Sequence, residues 1–215
     1  MSAVTTRVPL ILASASPRRR DLLDAVGLEF ELAPPNLDEE ALAAGLPPEA
    51  SALAVAAAKA ATVARHDACV LAADTIVVVD GVVFGKPASA ERAREMLAAL
   101  RGRDHEVITA VAVRTSDGEQ QTACRSVVRM RAYSAAEIDA YVAAGGGRDK
   151  AGAYGIQDEP FRPVEAIQGC WCNVMGLPLW VALRILAAGG CGAPRRPDQA
   201  FARCASCPSA PAGGA

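Results

Sequence analysis

Residues 69–79, Cys-Val-Leu-Ala-Ala-Asp-Thr-Ile-Val-Val-Val, constrain the fold more than any other stretch. A run this apolar and β-branched reads as the core of a strand. Asp80-Gly81 follows as a hairpin turn signal, and Val82-Val83 returns. One carboxylate, Asp74, stands inside the run. An ionised carboxylate there is costly unless it meets a cation or ligates a metal. The structural alternative is an aspartate at a strand edge bonded to nearby backbone.

The remaining pattern places elements around this strand. Residues 9–14 read as a buried strand. Ser16 is suited to a helix N-cap, Pro17 to the first turn and Gly27 to the stop, with Leu22, Leu23 and Val26 as the apolar stripe. Residues 30–35 read as a short strand ending at Pro34-Pro35, and residues 36–48 as a polar loop. Residues 49–66 are alanine-rich and helical. Ser89 opens a helix to about Leu100, residues 105–133 form a long hairpin, and Ser134 with Glu137 makes a capping box. The segment containing residues 164–176 holds a strand, and Pro178 starts a last helix to Ala188. The sum is an α/β domain over residues 1–190 with a mixed, largely antiparallel sheet and flanking helices. Residues 191–215 lack periodicity and read as a disordered C-terminal tail.

Net charge is −2, so no global basic field draws the chain to nucleic acid or to a membrane surface. Any anion site is local. No stretch is apolar enough to span a bilayer, since Lys59 and Arg184 interrupt the two longest candidates. The apolar run near the N-terminus is too short for a convincing signal peptide, and a cytoplasmic location is expected. Cys204-x-x-Cys207 has a metal-ligand spacing. A structural zinc site takes four ligands, however, and neither of the two histidines lies near the tail, so zinc is disfavoured.

The sharpest local conflict is Arg18-Arg19-Arg20 at the start of a helix. That end carries partial positive charge and free N–H groups. The conflict disappears if an anion docks there, because a strand, a small-residue turn and a helix N-terminus together cradle phosphate. Three solvated arginines are the bland reading. Asp74 favours the first. Glu39 offers a second carboxylate, and the two together suit Mg²⁺ held alongside substrate phosphates. Lys59 is the only charge in its alanine-rich stretch, where a snorkelling side chain is common. Lys86 sits in a stiff Gly-Lys-Pro loop, and residues 149–157 form a glycine-spaced loop that lets backbone approach a ligand.

Five motifs in this order carry a family resemblance: Ser14-Ala15-Ser16-Pro17-Arg18-Arg19, Ala73-Asp74-Thr75, Gly85-Lys86-Pro87, Lys150 to Gln157, and Gly176-Leu177-Pro178. Over about residues 8–188 the chain resembles the Maf-type nucleoside triphosphate pyrophosphatases. The resemblance implies an α/β anvil with a central cleft, and hydrolysis of nucleoside triphosphates to monophosphate and diphosphate with a divalent metal, Mg²⁺ or Mn²⁺. It assigns Asp74 as the catalytic base, Glu39 and Asp74 to metal, and Ser14, Arg19, Lys59 and Lys86 to phosphates. Arg18, Thr75 and Gln157 match the branch acting on dTTP and UTP, with clearance of non-standard pyrimidine nucleotides as its expected role. The alternatives are 7-methyl-GTP or another modified nucleotide as substrate, or a non-catalytic regulator of cell division. A homodimer is compatible with the resemblance. The chain departs from the family at Ala58 and at Trp171-Cys172.

Overall fold

A computed structural model describes residues 8–211. The first elements are β1 (Leu10–Ala13), α1 (Pro17–Ala25), β2 (Glu31–Leu32), α2 (Glu39–Ala43) and α3 (Pro48–Thr62). Then come β3 (Cys69–Val79), β4 (Val82–Phe84), α4 (Ala90–Leu100), β5 (Asp104–Thr115) and β6 (Gly118–Met130). The chain closes with α5 (Ala135–Ala143), β7 (Val164–Gln168), α6 (Trp171–Met175), α7 (Leu179–Ala188) and α8 (Pro197–Ala200).

The strands form one sheet in the order β2-β1-β3-β5-β6-β7, with β4 also paired to β3. β1 runs parallel to β2 and β3, while every other pairing is antiparallel. This is the mixed, largely antiparallel α/β arrangement expected from the alternation of hairpins and helices.

β3 is covered on both faces, so its side chains divide by parity. Leu71 and Ala73 join the core built on α1, α6 and α7. Val70, Ala72, Ile76 and Val78 join a core with Ala52, Ala56 and Ala60 of α3, whose small side chains let the helix sit close to the sheet. A third core packs α4 and α5 against the far half of β3 and β5. The β1 pairing ends at Ala13 with Ala72, and the β4 pairing begins at Phe84 with Val77. Between them, Ala73–Ile76 have a strand neighbour on one side only, β5, among the described residues. That gap in the ladder is where a cleft opens.

Three expectations need correction. The segment after Pro34-Pro35 contains a short helix, α2, because the Asp38 carboxylate accepts the Ala41 N–H at 3.0 Å and caps it. A second short helix, α6, follows β7 within residues 164–176, a segment read as holding a strand. Most consequentially, residues 191–211 pack on the domain instead of trailing from it. Cys191, Cys204 and Cys207 are buried, the Arg195 N–H bonds the Val26 carbonyl at 3.1 Å, and Trp180 Nε1 donates to the Cys204 carbonyl at 3.0 Å. The segment docks through isolated anchors, including Phe201 against Trp171 at 5.8 Å between ring centres, and anchors of this kind leave no periodic stripe. The last four residues of the expected tail lie outside the described residues.

Candidate active site

The cleft holds about 1010 Å³ and is lined by Ser14, Arg18, Arg19, Glu39, Lys59, Asp74, Thr75, Lys86 and Gln157. All nine site residues drawn from the sequence therefore meet in one cavity.

Strand geometry splits the two central ones. Asp74 and Thr75 are consecutive on β3 and point to opposite faces. Asp74 faces α3, where Lys59 Nζ approaches its Oδ1 at 2.8 Å. The same ammonium lies 3.0 Å from Glu39 Oε1, so one cation joins the two carboxylates. Lys59 is 6% and Asp74 8% exposed, while Glu39 stays open to the cleft. Lys59 is thus an ion-pair partner, not a snorkelling side chain.

Thr75 faces the helix α1. Its Oγ1 accepts Arg19 Nη2 at 3.0 Å and lies 3.0 Å from Thr109 Oγ1, which donates to the Asn173 carbonyl at 2.9 Å. Arg19 is itself buried. Its Nε donates to the Gly176 carbonyl at 2.7 Å and its Nη1 to Ser14 Oγ at 3.2 Å. Gly176 has φ +108°, a backbone that favours glycine, and a Cβ there would stand 3.7 Å from Arg19 Nε. Desolvation lowers the Arg19 pKa; Asp74 opposes that shift and Arg18 adds to it. Five guanidinium N–H groups less three bonds leave donors for an incoming anion.

The helix end agrees with this. Ser16 is the N-cap of α1, yet its side chain makes no capping bond, and no acidic residue occupies the first turn. Ser14 Oγ instead accepts the Ser16 N–H at 3.1 Å. The first turn of α1 is left without the carboxylate that usually compensates it.

Arg18 is less free than expected, because its Nη1 bonds Asp149 Oδ2 at 2.8 Å. Lys150 Nζ holds the other Asp149 oxygen at 3.0 Å. Partial burial raises the Asp149 pKa, but the hydrogen bonds from Lys150 and Arg18 outweigh it and hold the carboxyl at about 2. Lys86 and Gln157 line the cleft as exposed side chains. Among the described residues, no three metal-type side chains surround a common point in the cleft or elsewhere.

Sequence reasoning missed Asp149, Tyr154 and His105. Tyr154 lines the cleft and its hydroxyl lies 2.7 Å from His105 Nε2 on the opposite side. Burial pushes His105 down to about 4. The Lys150–Gln157 glycine loop carries Tyr154, but nothing local in the sequence links it to a histidine on β5.

The model describing the Maf-like protein family matches residues 9–188. A protein of Thermomicrobium roseum named dTTP/UTP pyrophosphatase is 46% identical over 206 residues, 94% of each chain. Proteins with the same name from Methylococcus capsulatus (49%, covering 86% of this chain and 93% of that one) and Moorella thermoacetica (48%, covering 84% and 95%) are similarly related. The first of these likenesses extends beyond residue 188 into the packed C-terminal segment.

Proposed function

The chain belongs to the Maf-like protein family, and from that premise we propose that it hydrolyses dTTP and UTP to the nucleoside monophosphate and diphosphate. The observation that carries this reading is the convergence of Asp74, Lys59 and Glu39 on one wall of the cleft with Arg19 and Ser14 on the other. Curated relatives named for this activity support it.

Water attacks the α-phosphorus, the bond from that phosphorus to the bridging oxygen breaks, and diphosphate leaves. Asp74 takes the water's proton. Lys59 keeps Asp74 oriented and balances its charge before substrate enters. Arg19, clamped by Gly176, Thr75 and Ser14, offers its remaining N–H groups to phosphate oxygens without needing to reorder. Lys86 adds a second cation from the facing loop. The neutral Gln157 amide can donate and accept, which suits the imide edge of thymine or uracil.

The family implies a divalent cation, and the donor set fits one. Glu39 and Asp74 already share a cation, the Lys59 ammonium, and two carboxylates beside substrate phosphates are the usual company of Mg²⁺. Glu39 and Asp74 would hold it, and its chemistry there is neutralising charge on the phosphates.

The test is hydrolysis of dTTP, UTP, CTP, GTP and 7-methyl-GTP with Mg²⁺ or Mn²⁺ in ¹⁸O-labelled water. The proposal expects diphosphate, with the label in dTMP or UMP. Label in orthophosphate, or a preference for GTP or 7-methyl-GTP, would overturn it.

A further inference from the structure

Five of the seven cysteines meet far from the catalytic carboxylates. Cys170 lies within hydrogen-bond reach of the sulfurs of Cys124, Cys172 and Cys207, and Cys172 Sγ is 3.3 Å from Cys204 Sγ. Cys170, Cys172, Cys204 and Cys207 are each less than a tenth exposed. They come as two closely spaced pairs, one at the start of α6 and one in the C-terminal segment. The spacing Cys204-x-x-Cys207 lacked two ligands in the sequence, and the fold brings up Cys170-x-Cys172 beside it.

We propose that Cys170, Cys172, Cys204 and Cys207 bind one structural Zn²⁺ as a tetrathiolate that pins the C-terminal segment to α6. Buried cysteines usually serve as small hydrophobes, so the polar surroundings matter. The Asn173 N–H donates to the Cys170 sulfur and the Ser209 N–H to the Cys207 sulfur. N–H groups of this kind are the outer-shell donors that zinc-bound sulfurs keep.

Distance separates zinc from a disulfide. Four Zn–S bonds of about 2.3 Å set a tetrahedral S–S edge near ~3.8 Å. Cys172 and Cys204 would open by about 0.5 Å to reach that edge, but would have to close by more than ~1 Å to form a disulfide bond. The sulfurs are not yet arranged about one centre, so the ion draws them in, as is common where binding and folding are coupled. Cys124 touches Cys170 but comes from β6, outside both pairs, and its sulfur is also 3.9 Å from Ser209 Oγ.

The site would act on the cleft through α6. Gly176 ends that helix, and its carbonyl holds Arg19 Nε at 2.7 Å. Zinc at one end of α6 therefore steadies the phosphate-binding arginine at the other.

The test uses the full chain purified in reductant with zinc supplied during expression. Elemental analysis should find about one zinc per chain, falling at least tenfold in Cys172→Ser and Cys204→Ser but not in Cys69→Ser or Cys124→Ser. Parent protein stripped of metal and loaded with Co²⁺ supplies a second reading that does not depend on how the serine variants fold. It should show the visible ligand-field bands of a tetrahedral tetrathiolate and regain the thermal stability lost on stripping. A zinc-free parent whose melting is unmoved by chelator or added zinc would overturn the proposal. So would a Cys172–Cys204 disulfide in a non-reducing peptide map, or zinc that depends on Cys124 instead of Cys204.

Discussion

Lys59 Nζ lies 2.8 Å from Asp74 Oδ1, joining helix α3 to the stretch of β3 that, among the described residues, lacks a strand neighbour on its cleft side. Four alanines of α3 and β3, Ala52, Ala56, Ala60 and Ala72, build the core at this helix–sheet contact. A buried ion pair of this kind is weak evidence for stability, because desolvation opposes the Coulomb gain. Its position in the cleft gives it a different value. In the proposed reaction an incoming phosphate competes with Asp74 for Lys59.

Asp74→Asn should cut kcat at least ~100-fold, the usual contribution of a positioned acid or base. It should also lower the melting temperature, since Lys59 loses its shorter contact and keeps only Glu39 at 3.0 Å. Adding Lys59→Met should restore stability by removing the unpaired ammonium, and should leave activity absent. Thermal melts and steady-state rates on the two variants check this. Activity within a few-fold of the parent would remove Asp74 from the mechanism.

Arg19→Ala should weaken both the fold and the site. The arginine makes three hydrogen bonds to β1's turn, β3 and the end of α6, and bonds to a charged donor contribute roughly 1.5–3 kcal/mol each. A read-out specific to phosphate is the shift in melting temperature produced by added diphosphate. The parent should show that shift and the variant should lose it. A variant still stabilised by diphosphate would assign Arg19 a purely structural part.

Much of the site was readable in the sequence because its residues are locally conspicuous. Asp74 interrupts an apolar strand, and Arg19 stands at the wrong end of a helix. What was not readable depends on contacts remote in the chain. Helices α2 and α6 span five residues each, too short to hold themselves, so their stability comes from a cap or from tertiary packing. The pairing of His105 with Tyr154 joins positions 49 residues apart, and neither carries a local mark. The C-terminal segment was misread for a related reason. Compositional bias suggested disorder, while its few buried cysteines and Phe201 find partners only once α1, α6 and α7 are assembled.

Chain termination after Gly190 should therefore destabilise the domain. It uncovers Cys172 and Trp171 and removes the carbonyl that accepts Trp180 Nε1. Each lost kcal/mol shifts the midpoint by about 2–4 °C in a domain of this size. A fall of at least ~5 °C is expected from losing even two such contacts. An unchanged melt would mean that the segment contributes nothing to the fold.

Acid should destabilise the protein in a window set by His105. Its folded pKa of about 4 lies below the ordinary 6.5, because burial disfavours the imidazolium. Between these values the unfolded chain binds the extra proton, so stability rises with pH across the window and is lost as pH falls toward 4. The loss amounts to order ~3 kcal/mol at most. His105→Gln should flatten urea-derived stability over this range while leaving the further loss below it, where Asp149 gives up its bonds to Arg18 and Lys150. An unaltered slope would place the acid sensitivity elsewhere.

On the proposed reading base selectivity rests on Gln157, an exposed cleft residue on the glycine loop that also carries Asp149. An amide there can meet both the donor and the acceptor of a pyrimidine imide, and a carboxylate can only accept. Gln157→Glu also adds a negative charge to a loop that already carries Asp149 and Asp158. A mismatched polar group costs roughly 1–3 kcal/mol, so kcat/KM for dTTP and UTP should fall by about 5- to 150-fold. The melting shift caused by diphosphate should persist, because Arg19, Ser14 and Lys59 are untouched. A base that presents donors only, or a positive charge as in 7-methyl-GTP, should be penalised less or gain. Measuring kcat/KM for dTTP, UTP, GTP and 7-methyl-GTP on parent and variant decides the matter. An unchanged ranking would detach Gln157 from base recognition and leave Thr75 and Arg18 as the remaining determinants to vary.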